Sequence, residues 1–375
     1  MPYPTDVTEP RLGVDAFAQN DAASQMAQAA FLLLLGYELK RSRERSLPSK
    51  RGTIEAPLDE DTALFRMPQI AGGGRRYRFS EVAAMESLPP GTNLRRQADR
   101  YELSRDIAYR LQIEPSESLA AALLLVCVTR SDSIVRVAAA AAGMEITAEP
   151  MRLIGVLARG TRDDDPLVRD LSATALARVY PEHSALRRLA SRSRRKASAG
   201  TARTSLLVHG TFARNQPWWQ PGGDFHSYAL ASVLPDLYAA ADRFEWSGGY
   251  SDAARMLGGQ DLEAWASSHS AANPLIIGHS HGANVIFLAT QMGVSMREAV
   301  LLSCPVHWPQ YAPDFSKVGK VVSVRVHLDL VILADFGGQR FDDPRIAENV
   351  LGVWFNHSAT HEPAIWQQYD VPKML

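Results

Sequence analysis

Five consecutive residues, Gly278-His279-Ser280-His281-Gly282, have the composition of a turn that presents a serine hydroxyl for nucleophilic attack. They lie directly between an apolar strand, Pro274-Leu-Ile-Ile277, and a helix predicted over residues 283–292, which is the context such a turn requires. A sharp strand-to-helix reversal holds the serine at a strained backbone angle and exposes its hydroxyl. Gly278 and Gly282 remove side chains that would collide with the neighbouring strand and helix, and the helix start aims N–H groups at developing negative charge. Such a serine attacks a carbonyl carbon when a base takes its proton and an acid orients the base. Another motif, Leu206-Leu-Val-His209-Gly210-Thr211, ends an apolar strand upstream. His209, His279 and His281 gather around these two motifs, but no His-Glu-x-x-His or comparable ligand spacing accompanies them, so no metal is expected. His209 is expected to support its turn through a hydrogen bond. His307 and His327 read as readily structural as functional.

The elements that must position these residues alternate between short apolar runs and helical stretches, the pattern of a mostly parallel sheet with crossover helices. Strands are predicted over residues 205–209, 243–246, 274–277, 299–302, 321–326 and 351–355, and helices over 228–241, 252–268 and 283–292. Residues 211–228 hold Phe212, Trp218, Trp219 and Phe225. This aromatic loop leaves the His-Gly turn, where it would line a substrate pocket or form a small lid, or else pack against the N-terminal helices.

With both motifs in this setting, residues 204–375 resemble the α/β-hydrolase superfamily, in particular its small lipase-like members. Phe244-Glu-Trp246-Ser-Gly248 followed by Arg255 adds to the likeness. The resemblance implies backbone N–H groups of Thr211 and His281 as the oxyanion hole, and a triad in the chain order serine, acid, histidine. Ser280 is then the nucleophile. Asp329, just past the strand at 321–326, matches the usual position of the acid; Asp335 competes, with Asp342 and Asp343 behind it. His357 directly follows the last strand, where the base usually stands, and His361 is its rival. The two leading strands of a full-size sheet are missing. The implied activity is a cofactor-free serine esterase acting on a small ester through an acyl-enzyme. The alternatives are an acyltransferase or thioesterase with the same triad, and a helical-repeat scaffold carrying a non-catalytic hydrolase-like domain.

The N-terminal half reads differently. Helices are predicted over residues 16–40 and 92–111, with loops and short elements over 46–93, where Pro and Gly are frequent. Four helices follow over 116–129, 132–142, 148–159 and 165–179. Two begin alike, Asp132-Ser-Ile-Val-Arg136 and Asp165-Pro-Leu-Val-Arg169, at a 33-residue interval of the kind helical solenoids use. This segment resembles HEAT-type repeats, which implies a surface for a protein partner or for self-association. The expected organisation is a helical and loop region (1–114), a repeat-like region (115–190), a polar linker (191–203) and the α/β domain (204–375). Residues 1–203 carry 30 Lys+Arg against 25 Asp+Glu, and residues 204–375 carry 10 against 16, consistent with two domains. The net charge of −1 argues against a nucleic-acid binder held by bulk charge. The two cysteines sit far apart in apolar runs, so no disulfide framework is expected. The first residues lack the apolar core of a secretory signal and no run is long enough to span a bilayer. A cytoplasmic protein is the expectation.

Overall fold

The structure is a computed structural model; it describes residues 2–45, 60–70, 75–83, 97–190, 205–239, 242–269 and 273–375. The polar linker expected at 191–203, the start of the helix expected at 92 and most of the 46–93 loop region lie outside the described residues. Two compact units divide the chain. One comprises Met1–Tyr180 together with Leu333–Phe336 and Trp354–Asn356; the other comprises Pro181–Ile332, Gly337–Val353 and His357–Leu375.

The first unit is helical: α1 (Ala22–Arg45), α2 (Glu60–Leu64), α3 (Phe79–Ala83), α4 (Gln97–Ile113), α5 (Glu117–Cys127), α6 (Ser133–Gly143), α7 (Pro150–Gly160) and α8 (Pro166–Val179). Local signals account for the ends. The Asp21 carboxylate accepts from Ser24 N (2.8 Å), Ser116 Oγ from Leu119 N (3.2 Å) and Asp165 Oδ1 from Val168 N (3.0 Å). Each satisfies a donor that a helix start leaves without an acceptor. The middle of α1, Phe31-Leu-Leu-Leu-Leu35, is buried on every side. Gly36 lets α1 cross α6 closely, since a Cβ there would stand 2.9 Å from Ala142. The two similar helix starts share their arginine contacts, although only Asp165 caps its helix with its side chain. Arg136 donates to the carbonyls of Arg130 and Ser131 (3.1 and 2.9 Å), and Arg169 to those of Asp163 and Asp164 (2.8 and 2.9 Å). The 33-residue sequence repeat is therefore also a repeat of hydrogen bonds.

The second unit is α/β. Its elements are β1 (Leu206–Val208), α9 (Asp224–Ser232), α10 (Asp252–His269), β2 (Leu275–His279), α11 (His281–Gln291), β3 (Met296–Leu302), β4 (Val318–His327), α12 (Leu330–Asp335), β5 (Ile346–Trp354) and α13 (Pro363–Gln368). The strands form one sheet in the order β1-β2-β3-β4-β5. The pairings β1/β2, β2/β3 and β3/β4 are parallel, with Val208 opposite Gly278, Gly278 opposite Leu301, and Leu301 opposite Ser323. The central strands are apolar on both faces, as a sheet covered by helices demands; Ile276, Val300, Val322 and Phe287 are all fully buried in its core.

Two expected elements differ. No strand forms at 243–246; Trp246 is instead a buried side chain whose indole N–H donates to His209 O (2.7 Å). The helix expected over 228–241 is α9, which begins earlier and ends at Ser232, ahead of Pro235. The chain beyond it runs beside β1, where Tyr238 N donates to Ser205 O (3.1 Å); residues 240 and 241 lie outside the described residues. The short helix α12 was not expected. No helix among the described residues is long and apolar enough to cross a membrane.

Candidate active site

Ser280 sits at the abrupt change from β2 to α11 with φ 54° and ψ −134°. This left-handed φ is costly for any residue with a Cβ, of order 1–3 kcal/mol. The turn is held by Ser280 N donating to Leu302 O (2.8 Å) and Ala283 N to Ser280 O (3.0 Å). Two close approaches need glycine. A Cβ on Gly282 would lie 2.4 Å from Val208 O, so only a hydrogen lets the start of α11 meet the end of β1. A Cβ on Gly210 would lie 2.8 Å from Ser280 Cβ, so the His-Gly turn faces the serine directly.

That turn is rigidly supported. His209 Nδ1 donates to Gly210 O (2.9 Å), and its ring packs against Trp219 and Trp246 at centroid distances of 4.6 and 5.7 Å. Burial lowers the His209 imidazole to about 4, so it is neutral at physiological pH. Phe212 N donates to Gly248 O (2.9 Å) and Ala213 N to Gly210 O (3.3 Å), which leaves the Thr211 N–H out of the turn's own bonds. Thr211 Oγ1 is also buried without a partner. His281 occupies the first position of α11, where a backbone N–H has no acceptor within the helix; its side chain meets Asn284 Nδ2 (3.0 Å).

His357 and Asp329 are brought together. Nδ1 and Oδ2 are 2.7 Å apart, with side chains 4% and 1% exposed. The carboxylate is itself fixed: its other oxygen accepts from Val331 N (2.9 Å) and Ile332 N (3.2 Å) at the start of α12. Gln339 adds a two-way clasp, accepting from Asp329 N (3.0 Å) and donating to Asp329 O (3.2 Å). With Nδ1–H committed to the carboxylate, Nε2 is the basic nitrogen.

Other imidazoles surround the base. His279 Nε2 donates to His357 O (3.2 Å) and its ring lies 4.5 Å from His357; His361 is 4.7 Å from His279 and stacks on Trp218 at 4.3 Å. Burial first, then the charge of a protonated His357, lowers His361 to about 3 and holds His279 well below the ordinary histidine range. Of these three imidazoles, His357 is the one hydrogen-bonded to a carboxylate. Of the competing acids, Asp335 belongs to the helical unit, Asp342 is exposed, and Asp343 pairs with Arg345 (2.6 Å), whose hydrogen bonds lower it to about 2. Trp219 is fully buried with its indole N–H on Ala213 O (3.0 Å); Trp218 is nearly so, and Phe212 is half-buried.

Every strand of the sheet is followed within four residues by a non-glycine residue at positive φ: Phe212, Ser280, Ser303, Leu328 and Phe355. Parallel sheets bind ligands at their carboxyl ends, and stored backbone strain collects at functional sites. The chain matches no protein-family model and no curated protein. Sequence reasoning had passed over Gln339 and the capping role of Asp329. The only signal was an aspartate ahead of the apolar run Leu330-Val-Ile-Leu-Ala334.

Proposed function

We propose that this chain is a serine hydrolase of the α/β-hydrolase type, acting on carboxylic esters. The observation that carries this reading is a buried His357–Asp329 pair in the same α/β unit as a serine held at left-handed φ against a glycine turn. His357 Nε2 takes the Ser280 proton as Oγ attacks the ester carbonyl. The carbonyl π electrons move to oxygen, and the N–H groups of Thr211 and His281 stabilise the oxyanion. Collapse expels the alcohol, which leaves with the proton from His357. Water, deprotonated by the same nitrogen, then releases the acid and restores Ser280. Each oxyanion donor contributes ~10²–10³ in rate. Acyl transfer to another acceptor, or attack on a thioester, would use the same steps. The helical unit is proposed to be HEAT-like, with the repeated Arg136 and Arg169 contacts as support and a protein partner as its implication.

Labelling with a fluorophosphonate tests the reading without a choice of substrate. Covalent modification at Ser280 is expected, abolished in Ser280→Ala and His357→Ala and retained in His361→Ala. A folded protein that resists the probe, or that keeps wild-type esterase activity as Ser280→Ala, would end the proposal and favour the scaffold.

A further inference from the structure

The bond to Asp329 fixes one end of the His357 side chain, its Nδ1. The other end is the main chain, where His357 opens a 3₁₀ turn of five residues, His357–His361. So short an element has little stiffness of its own. Where Nε2 comes to rest therefore depends on what holds the His357 backbone. Two buried side chains of the α/β unit meet its carbonyl oxygen. His279 Nε2 donates to it (3.2 Å), and Thr360 Oγ1 stands 3.4 Å away.

Each of these side chains comes from a firm place. His279 is the last residue of β2, opposite Leu302 in β3, and immediately precedes Ser280. Its ring packs 4.5 Å from His357, 4.7 Å from His361 and 5.5 Å from Trp218. Thr360 is fully buried; its hydroxyl also reaches Ser303 Oγ (3.2 Å), and its carbonyl accepts from Trp366 Nε1 (2.7 Å). Ser303 in turn follows β3 at φ 45°, with its N–H on Val324 O (3.0 Å). The backbone of the base is thus tied to the ends of β2 and β3, while Asp329, just past β4, holds its ring. The donor beside the base is also uncharged. Burial, and then repulsion from a protonated His357, hold His279 well below the ordinary histidine range. A lysine or arginine in its place would oppose the imidazolium that forms during the reaction.

We propose that His279 and Thr360 are positioning residues that hold the His357 carbonyl and so keep Nε2 within reach of Ser280. The inference rests on Ser280, Asp329 and His357 acting as assigned above. Residues 279 and 280 are consecutive, so the turn that carries the nucleophile also carries a donor to the base. A shift of the turn then moves both together and preserves their separation. The chemistry needs this, because misplacement by about 1 Å can cost ~10²-fold in rate.

The test is the rate of fluorophosphonate labelling of the full chain, with a thermal melt of each variant. His279→Phe keeps a flat ring for Trp218 and His361 but has no N–H. His279→Gln loses the ring and keeps a donor at the ε position. Packing alone would make His279→Phe the milder change. Positioning reverses the order: His279→Phe should label ~10-fold or more slowly, and His279→Gln should recover most of that loss. Thr360→Val and Thr360→Ser repeat the comparison on the other donor and decide the matter if the His279 variants do not fold. Folded His279→Phe and Thr360→Val proteins that label at the wild-type rate overturn the positioning role and leave the reactive serine standing. So does His279→Gln no faster than His279→Phe. A wild type that resists the probe ends the catalytic reading and this inference with it.

Discussion

Asp329 divides its carboxylate between two tasks. Oδ2 receives the His357 Nδ1 proton, and Oδ1 caps the start of α12 through the Val331 and Ile332 amides. Asp329→Asn separates the tasks. Asparagine caps a helix about as well as aspartate, so the melting temperature should change by no more than a few degrees. Its amide NH₂, however, presents a donor to Nδ1 and drives the imidazole into the tautomer that carries hydrogen on Nε2. The nitrogen that must accept the Ser280 proton is then blocked, and ester turnover should fall by up to ~10⁴-fold. Steady-state hydrolysis of a p-nitrophenyl ester beside a thermal melt reads both effects. Asp343→Asn is the control, because that carboxylate serves Arg345 at the surface. Equal damage from the two substitutions would sink the assignment of the acid.

Glycine substitutions separate close approach from propensity at the level of the elements. Gly155 lies in α7, and a Cβ there would meet only the mobile end of Arg159 at 3.7 Å. Gly155→Ala should stabilise the helical unit by ~0.5–1 kcal/mol. Gly282→Ala gains the same propensity in α11 but places a methyl 2.4 Å from Val208 O and 2.7 Å from His209 O. It should cost ~1–3 kcal/mol and move the His-Gly turn off the elbow, with activity lost in proportion. Urea denaturation of both variants checks the signs, and stabilisation by Gly282→Ala would contradict the packing of β1 on α11. The same elements show what sequence could disclose. The helices of the repeat were legible because Ser116, Asp165 and Pro166 mark their starts locally, and β2–α11 because an apolar run meets glycine on both sides of a serine. Arg243-Phe-Glu-Trp246 misled because alternating large apolar residues suit a strand, whereas Phe244 and Trp246 are simply buried. In α12 the run Leu330-Val-Ile-Leu-Ala334 has no polar face to betray a helix. Gln339 acts through a side-chain clasp on the Asp329 backbone, for which residue type alone carries no signature.

For the molecule as a whole, pH is the lever that the buried groups define. Burial holds His209 near 4, His361 near 3 and His279 well below 6.5, while the same rings in an unfolded chain titrate near 6.5. Below pH 6.5 the unfolded state therefore binds more protons. The stability these rings contribute is complete above that pH and declines as pH falls toward their folded values. Each ring withdraws about 1.4 kcal/mol per pH unit within its window, so His209 alone removes at most about 3 kcal/mol by pH 4. At the other end, burial raises Cys127 and, with lesser contributions from its neighbours, Tyr311 to about 12, so stability is lost again as pH rises past the ordinary thiol and phenol values. The acid arm belongs to the α/β unit, which holds six of the seven tryptophans, and tryptophan fluorescence in urea at a series of pH values follows it. His361→Phe keeps a flat ring against Trp218 and removes one titrating group. Its urea midpoint should fall less steeply below pH 6.5 than that of the wild type. Parallel slopes would mean that His361 takes up its proton inside the fold, and the acid sensitivity would then belong to the carboxylates.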